Sequence, residues 1–148
     1  MHLKASMLTT IAIVSVAFTL TACNQEPNLS PTDTYLQYHD NSKSNNNFET
    51  EASYYTSEKT EAVNAKLKDY QKHWNMNSIA DVKTKYMGFV MNTSKCMSLT
   101  PVDENISGNT ATLLFSVVDE CSGHEGAKQK VVMKKQDGWK IEDTETIL

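Results

Sequence analysis

KQKVVMKKQDGWKIEDT, residues 128–144, is the stretch that decides the fold of this chain. Two runs that contain β-branched and aromatic residues, 128–136 and 139–144, flank the dipeptide Asp137-Gly138. Asp-Gly favours the type I′ turn, whose twist matches that of paired antiparallel strands. The stretch therefore predicts a β-hairpin at the C-terminal end of an antiparallel sheet.

Further strands are predicted before this hairpin. Residues 110–118 place apolar side chains at alternate positions, which indicates a strand with one buried face. These side chains are Ala111, Leu113, Phe115 and Val117. The turn residues 107–109 precede that strand, and another strand over residues 96–102 is expected to be limited by Pro101, which has no N–H for a ladder hydrogen bond.

Residues 79–91 also show a period of two. The alternating set is Val82, Lys83, Thr84, Lys85 and Tyr86. Apolar or β-branched residues that alternate with lysines predict a half-buried strand, with a bend near Gly88.

Three helices are predicted ahead of the strands. The first begins at Ser30-Pro31, because serine caps free N–H groups and proline suits the first helical position, and it ends near Ser42. A short helix is predicted over residues 48–55, and a longer one after a cap at Thr56 or Ser57. The longer helix carries a stripe that is expected to be buried: Val63, Leu67, Tyr70 and Trp74. The sequence thus predicts an α+β domain over residues 30–148, with three N-terminal helices packed on a curved antiparallel sheet of about four strands.

The N-terminal segment has the character of a secretion signal. Lys4 is followed by an uncharged stretch, residues 8–20, that is shorter than the roughly 20 residues of a membrane-spanning helix. Leu20-Thr21-Ala22-Cys23 resembles the bacterial lipobox. The resemblance implies a signal peptide over residues 1–22, acylation of Cys23 and a lipidated tether over residues 23–29, so the first partner is the lipid bilayer. An ordinary secretory signal with a chance cysteine is the alternative. By the same resemblance, Asn24 in place of aspartate after the cysteine implies an outer rather than an inner membrane location in a Gram-negative cell, facing the periplasm.

Two cysteines remain after Cys23 is assigned to lipid. Cys96 and Cys121 are an even pair in an exported chain, which predicts a structural disulfide. A redox or metal role is the alternative, but neither cysteine belongs to a C-x-x-C pair.

Composition excludes several classes of function. The chain has a net charge of −4, and all 14 of its basic residues are lysines. Nucleic acid binding is therefore disfavoured, and so is a dedicated carboxylate or phosphate site, since both commonly use arginine forks. No cofactor motif occurs. No metal site is predicted either, because methionines such as Met87, Met91 and Met97 usually fill core gaps rather than bind copper.

Two segments resemble the nuclear-transport-factor-2-like (cystatin-like) superfamily. Residues 30–58 are similar to its opening, with a helix containing Thr32-Asp33-Thr34-Tyr35-Leu36-Gln37, a polar break and a short helix ending in Tyr54-Tyr55-Thr56-Ser57. Residues 134–141 are similar to the last hairpin of small secreted members, which often end in a Gly-Trp-Lys-Ile-like run. The resemblance implies a cone-shaped sheet wrapped around a long helix. Members include enzymes, ligand binders and small lipoproteins of unknown role.

Enzymes of that superfamily use Asp, His and Tyr side chains inside the cone. By this resemblance the candidate pocket residues are Tyr35, His39, Tyr55 and Tyr86. Because tyrosines on inward faces usually supply buried area, packing is favoured over catalysis, and no catalytic residue is assigned.

The sequence favours a membrane-anchored envelope lipoprotein with a non-enzymatic binding or structural domain. Its partner is then an envelope protein or a small apolar ligand. An isomerase or dehydratase with an acid–base site in the cone is one alternative, and an immunity-type protein that binds a toxin is another. The oligomeric state is left open.

Overall fold

A computed structural model describes residues 29–44 and 47–148 of the chain. Its elements are α1 Pro31–Ser44, α2 Phe48–Ala52, α3 Ser57–His73, α4 Ile79–Cys96, β1 Met97–Ser107, β2 Thr110–Asp119, β3 His124–Gln136 and β4 Gly138–Ile147. The predicted signal peptide, Cys23 and residues 24–28 of the tether lie outside the described residues. No described helix is long and apolar enough to cross a membrane.

The four strands form one antiparallel sheet in the order β1-β2-β3-β4. The alternating residues of β2 are buried, as predicted. Three of them, Ala111, Leu113 and Phe115, pack with Val131, Met133 and Ile141 of the next two strands and with Tyr35 and Tyr55 from the helical side. Each strand pair has one register irregularity. Such irregularities bend strands, so the sheet curves around the helices.

The C-terminal hairpin is confirmed, but its turn differs from the prediction. Gln136 pairs with Gly138, so the two strands meet around Asp137. Gly138 has a φ of 93°, whereas Asp137 has no positive φ. A type I′ turn needs positive φ at both central residues, so glycine alone supplies the left-handed conformation here.

The prediction of a strand over residues 79–91 is wrong, because this segment belongs to α4. The Ser78 side chain accepts a hydrogen bond from the backbone N–H of Ala80 and caps the helix. Val82 is fully buried and Tyr86, four residues later, packs against the same apolar cluster. The spacing of Val82 and Tyr86 fits both a period of two and a helical turn, and the exposed Thr84 between them shows that the helical period applies. The described part of the domain therefore contains four helices rather than three.

Two other features differ from the prediction, namely the end of β1 and the burial of α3. β1 continues past Pro101 to Ser107, since it is an edge strand whose outer half is exposed and can tolerate a missing N–H. The predicted buried stripe of α3 is only partly buried. Leu67 is fully buried, but Tyr70 is 38% exposed.

The N-terminal helices follow their predicted caps. The Ser30 hydroxyl accepts from the backbone N–H of Asp33 at 3.0 Å, and the Thr56 hydroxyl accepts from that of Lys59 at 3.2 Å. α2 ends at Ala52 rather than near residue 55. The backbone beyond it bonds to β4 instead, since Ile141 donates its N–H to the carbonyl of Tyr54 and accepts from Thr56. This pairing fixes Tyr55 against the sheet.

Candidate functional site

A buried carboxyl group lies where α1, α2 and the following residues meet. Glu51 is 1% exposed. Its Oε1 accepts hydrogen bonds from the hydroxyls of Tyr38 at 2.7 Å and Tyr55 at 2.6 Å, and its Oε2 accepts from Ser42 at 3.0 Å. No lysine in the described part of the chain makes an ion pair with it. Three hydroxyls, rather than a cation, satisfy this carboxyl group.

Helical spacing brings these groups together. Tyr38 and Ser42 are four residues apart on α1 and so share one face of it. Glu51 is three residues after Phe48, so both point to the buried side of α2. Tyr55 is placed beside Glu51 by its backbone bridge to Ile141. The cluster therefore depends on contacts between three separate segments.

A cavity of about 300 Å³ lies against this cluster. Its polar lining includes Tyr38, Tyr55, Tyr70 and Tyr86, together with the half-buried Lys59 and the exposed Lys66. Val63, Leu67 and Ile141 supply aliphatic wall, and Thr144 of β4 completes it. Glu51 does not line the cavity itself, because Tyr38 and Tyr55 stand between. This volume is at the lower end of the range for small-molecule sites.

Three phenols of the cavity, those of Tyr38, Tyr55 and Tyr86, have pKa values that are raised above the usual 10 and are therefore held in their protonated form. Burial, followed by the nearby Glu51, raises the pKa of Tyr38 and of Tyr86. Burial and then the neighbouring Tyr38 raise the pKa of Tyr55. Because Tyr38 and Tyr55 already donate their single hydrogens to Glu51, they offer lone pairs to the cavity and cannot serve as phenolate bases.

The structure brings together only part of the predicted pocket set. Tyr55 and Tyr86 line the same cavity. Tyr35 is 2% exposed and packs its ring against Phe115, with ring centroids 5.2 Å apart. His39 lies elsewhere on α1, where its Nε2 is 3.0 Å from the carbonyl oxygen of Met97. Tyr35 and His39 are not among the residues lining the cavity.

His39 predicts a pH dependence of stability. Burial lowers its pKa below the usual 6.5, although the hydrogen bond to Met97 acts the other way. The unfolded chain then binds the proton more readily, so stability is fully present above pH 6.5 and is lost as the pH falls through the lowered pKa of the folded state. We expect urea unfolding to show that the free energy of unfolding falls with pH in this range. The fall should be smaller in His39→Gln, whose amide can still donate to the Met97 carbonyl but does not titrate. Equal pH profiles for the two proteins would contradict this role for His39.

The predicted disulfide is present. Cys96, the last residue of α4, is bonded to Cys121 in the loop between β2 and β3. Within the described ranges, Asp119 lies with these cysteines close enough to form a group of potential metal ligands. The two sulfurs are bonded to each other, so neither is a free thiolate ligand.

Sequence reasoning missed Glu51 and Lys59. A signal for Glu51 was available, since it lies three residues after Phe48 in a predicted helix and thus on its apolar face. Lys59 gave no such signal, because a lysine in the first turns of an amphipathic helix usually faces solvent. Its place at the cavity follows from the packing of α3 against β4.

Comparisons with known proteins give little further information. No protein-family model and no curated protein matches the chain. A designed protein named Rd1NTF2_05, in a form with five substitutions, is similar to it with a TM-score of 0.36 and 16% identity. The match covers 44% of this chain and 61% of the design. A likeness of this size does not assign a family.

Proposed function

We propose that the chain is an exported lipoprotein, held at the cell envelope by acylated Cys23, whose domain binds a small ligand without transforming it. The observation that carries the binding proposal is the cavity, which combines tyrosine oxygens with aliphatic wall. Ligand sites commonly join apolar lining to a few convergent polar groups. The protonated state of the phenols favours binding over proton abstraction. The disulfide supports export, because disulfides persist in oxidising compartments.

The cavity proposal is tested by closing the cavity. Thr144 is exposed on β4 and pairs with the buried Val131, so a larger side chain there extends over the cavity. We expect Thr144→Trp to weaken binding of the neutral probe naphthalene-2-sulfonamide by about tenfold. Isothermal titration calorimetry measures the affinity, because the tryptophan that each variant adds would contribute its own fluorescence beside Trp74 and Trp139. Glu145→Trp, at the next position of the same strand and on the opposite face of the sheet, is the matched control. Equal binding by both variants would remove the cavity as the site.

The anchoring proposal has its own test. Cys23 is the residue that would carry the lipid, so Cys23→Ser is expected to abolish incorporation of an alkyne-tagged fatty acid and to leave an uncleaved precursor or a released protein. Cys121→Ser is the control, since it removes another cysteine without touching the lipobox. Unchanged labelling of the Cys23→Ser chain would rule out this anchor.

We further propose that the domain belongs to the nuclear-transport-factor-2-like (cystatin-like) superfamily, among its small lipoproteins. The helices ahead of a single curved sheet, the closing hairpin and a cavity between α3 and β4 support this assignment. A crystal structure that superposes on members over the whole domain is the expected result. Superposition confined to the hairpins would contradict the assignment.

A further inference from the structure

The cavity has the opposite charge character from the chain as a whole. The protein carries 18 acidic residues and a net charge of −4. Among the residues that the structure describes, the charged side chains lining the cavity belong to two lysines and none to an acidic residue. Lys59 and Lys66 are seven residues apart on α3, or about two helical turns, and therefore lie on the same face.

Lys59 is a half-buried cation without an ion-pair partner in the described part of the chain. None of the four ion pairs there includes Lys59 or Lys66. The Lys59 ammonium lies 5.5 Å from the centre of the Tyr55 ring. Burial lowers its pKa and the nearby Lys66 adds to this, against the opposing attraction of Asp143 and Glu142 on β4 and of the buried Glu51. An anion beside Lys59 would offset the hydration that this ammonium has lost.

The remaining lining sets the orientation of such a ligand. Val63 and Leu67 lie beside the lysines on α3, and Ile141 faces them from β4. Tyr38 and Tyr55 present oxygen lone pairs, because their hydrogens are donated to Glu51. An anionic group is repelled by those lone pairs and attracted by the ammonium groups. The anionic group of the ligand is therefore expected beside Lys59 and Lys66, and its apolar body along the aliphatic wall.

We propose that the cavity binds a small amphipathic anion, with its single carboxylate or sulfonate group at Lys59 and Lys66 and its apolar body against Val63, Leu67 and Ile141. This inference rests on the proposed ligand-binding function and names the class of ligand. The lack of arginine disfavours bidentate recognition, but two lysines can hold an anion as point charges.

The test compares two probes of almost the same shape on the full chain purified in detergent. Naphthalene-2-sulfonate carries the charge, and naphthalene-2-sulfonamide does not. We expect the anion to bind about tenfold more tightly, as suits a charge-assisted hydrogen bond in a partly buried site. Lys59→Gln should bring the two affinities together, and Lys66→Gln should reduce their ratio. A titration of each probe into the detergent without protein corrects for partition of the probes into micelles.

Lys72→Gln is the matched control, because Lys72 is on the same helix and its side chain is 84% exposed. That variant should keep the full preference for the anion. Equal affinities for the two probes in the unaltered chain, or a preference that survives both Lys59→Gln and Lys66→Gln, overturn the inference. If the inference is overturned in this way but Thr144→Trp binds the sulfonamide more weakly than the unaltered chain does, the proposed ligand-binding function of the cavity stands. If neither probe binds, the proposed function and this inference fail together.

Discussion

Replacing both Cys96 and Cys121 with serine will lower the free energy of unfolding by about 3.5 kcal/mol, as expected for a crosslink that closes a loop of 25 residues. The bond joins the end of α4 to the loop between β2 and β3, so its loss frees the unfolded chain to adopt more conformations. Urea unfolding of the double variant measures the change. The Cα atoms are 5.1 Å apart, which is an ordinary separation for a disulfide.

The folded structure should survive this change. Asp119 accepts hydrogen bonds from the backbone N–H groups of Cys121 and Ser122, so the loop keeps its own turn without the bond. Hydrogen bonding to Ser122 is also the main cause of the lowered pKa of the Asp119 carboxyl group. We therefore expect circular dichroism to be unchanged. A reductant should destabilise the unaltered protein and leave the double variant unaffected. A loss of less than about 1 kcal/mol would contradict the crosslink as a major source of stability.

The fold was predictable from sequence where two local signals agreed. In the last hairpin, the Asp137-Gly138 dipeptide and the β-branched and aromatic residues of the flanking runs indicate the same structure. In the segment that forms α4, two local signals disagreed. The alternation of Val82, Thr84 and Tyr86 suggested a strand, while Ser78 and Asp81 supply an N-cap and a first-turn acid that favour a helix. The cap carried the better information, because the residues of this segment that are buried follow the helical period.

The candidate site was less predictable, because it depends on contacts between distant segments. Tyr55 and Tyr86 are 31 positions apart along the chain and meet only because α4 packs against α2 and α3. The family resemblance predicted both tyrosines as pocket residues, but it also predicted His39, which faces β1. Sequence patterns indicate which side of a helix is buried. They do not indicate which buried side chains share a cavity, since that depends on how the helices cross.

Glu51 offers the second large effect, because its removal leaves several donors without an acceptor. In Glu51→Ala the hydroxyls of Tyr38, Tyr55 and Ser42 all lose the carboxyl group. Ser42 can still donate to the Tyr38 carbonyl at 3.0 Å, so most of the cost falls on the two tyrosines, whose hydroxyls are left with the cavity and with each other at 3.4 Å. The lost hydrogen bonds and the space left by the shorter side chain are together expected to lower the free energy of unfolding by about 3 kcal/mol.

Glu51→Gln separates the hydrogen bonds from the charge. The amide oxygen can accept from both phenols, and the amide nitrogen can donate to the Ser42 hydroxyl while that hydroxyl donates to the Tyr38 carbonyl. We expect a stability change of less than about 1 kcal/mol, since an uncharged group costs less to bury than a carboxylate without a cation. Loss of the negative charge should also lower the pKa of Tyr86, which Glu51 helps to raise, so tyrosinate absorbance should appear at lower pH. If Glu51→Gln is as unstable as Glu51→Ala, the charge itself is required, and the hydroxyl network alone does not explain why a carboxyl group occupies this position.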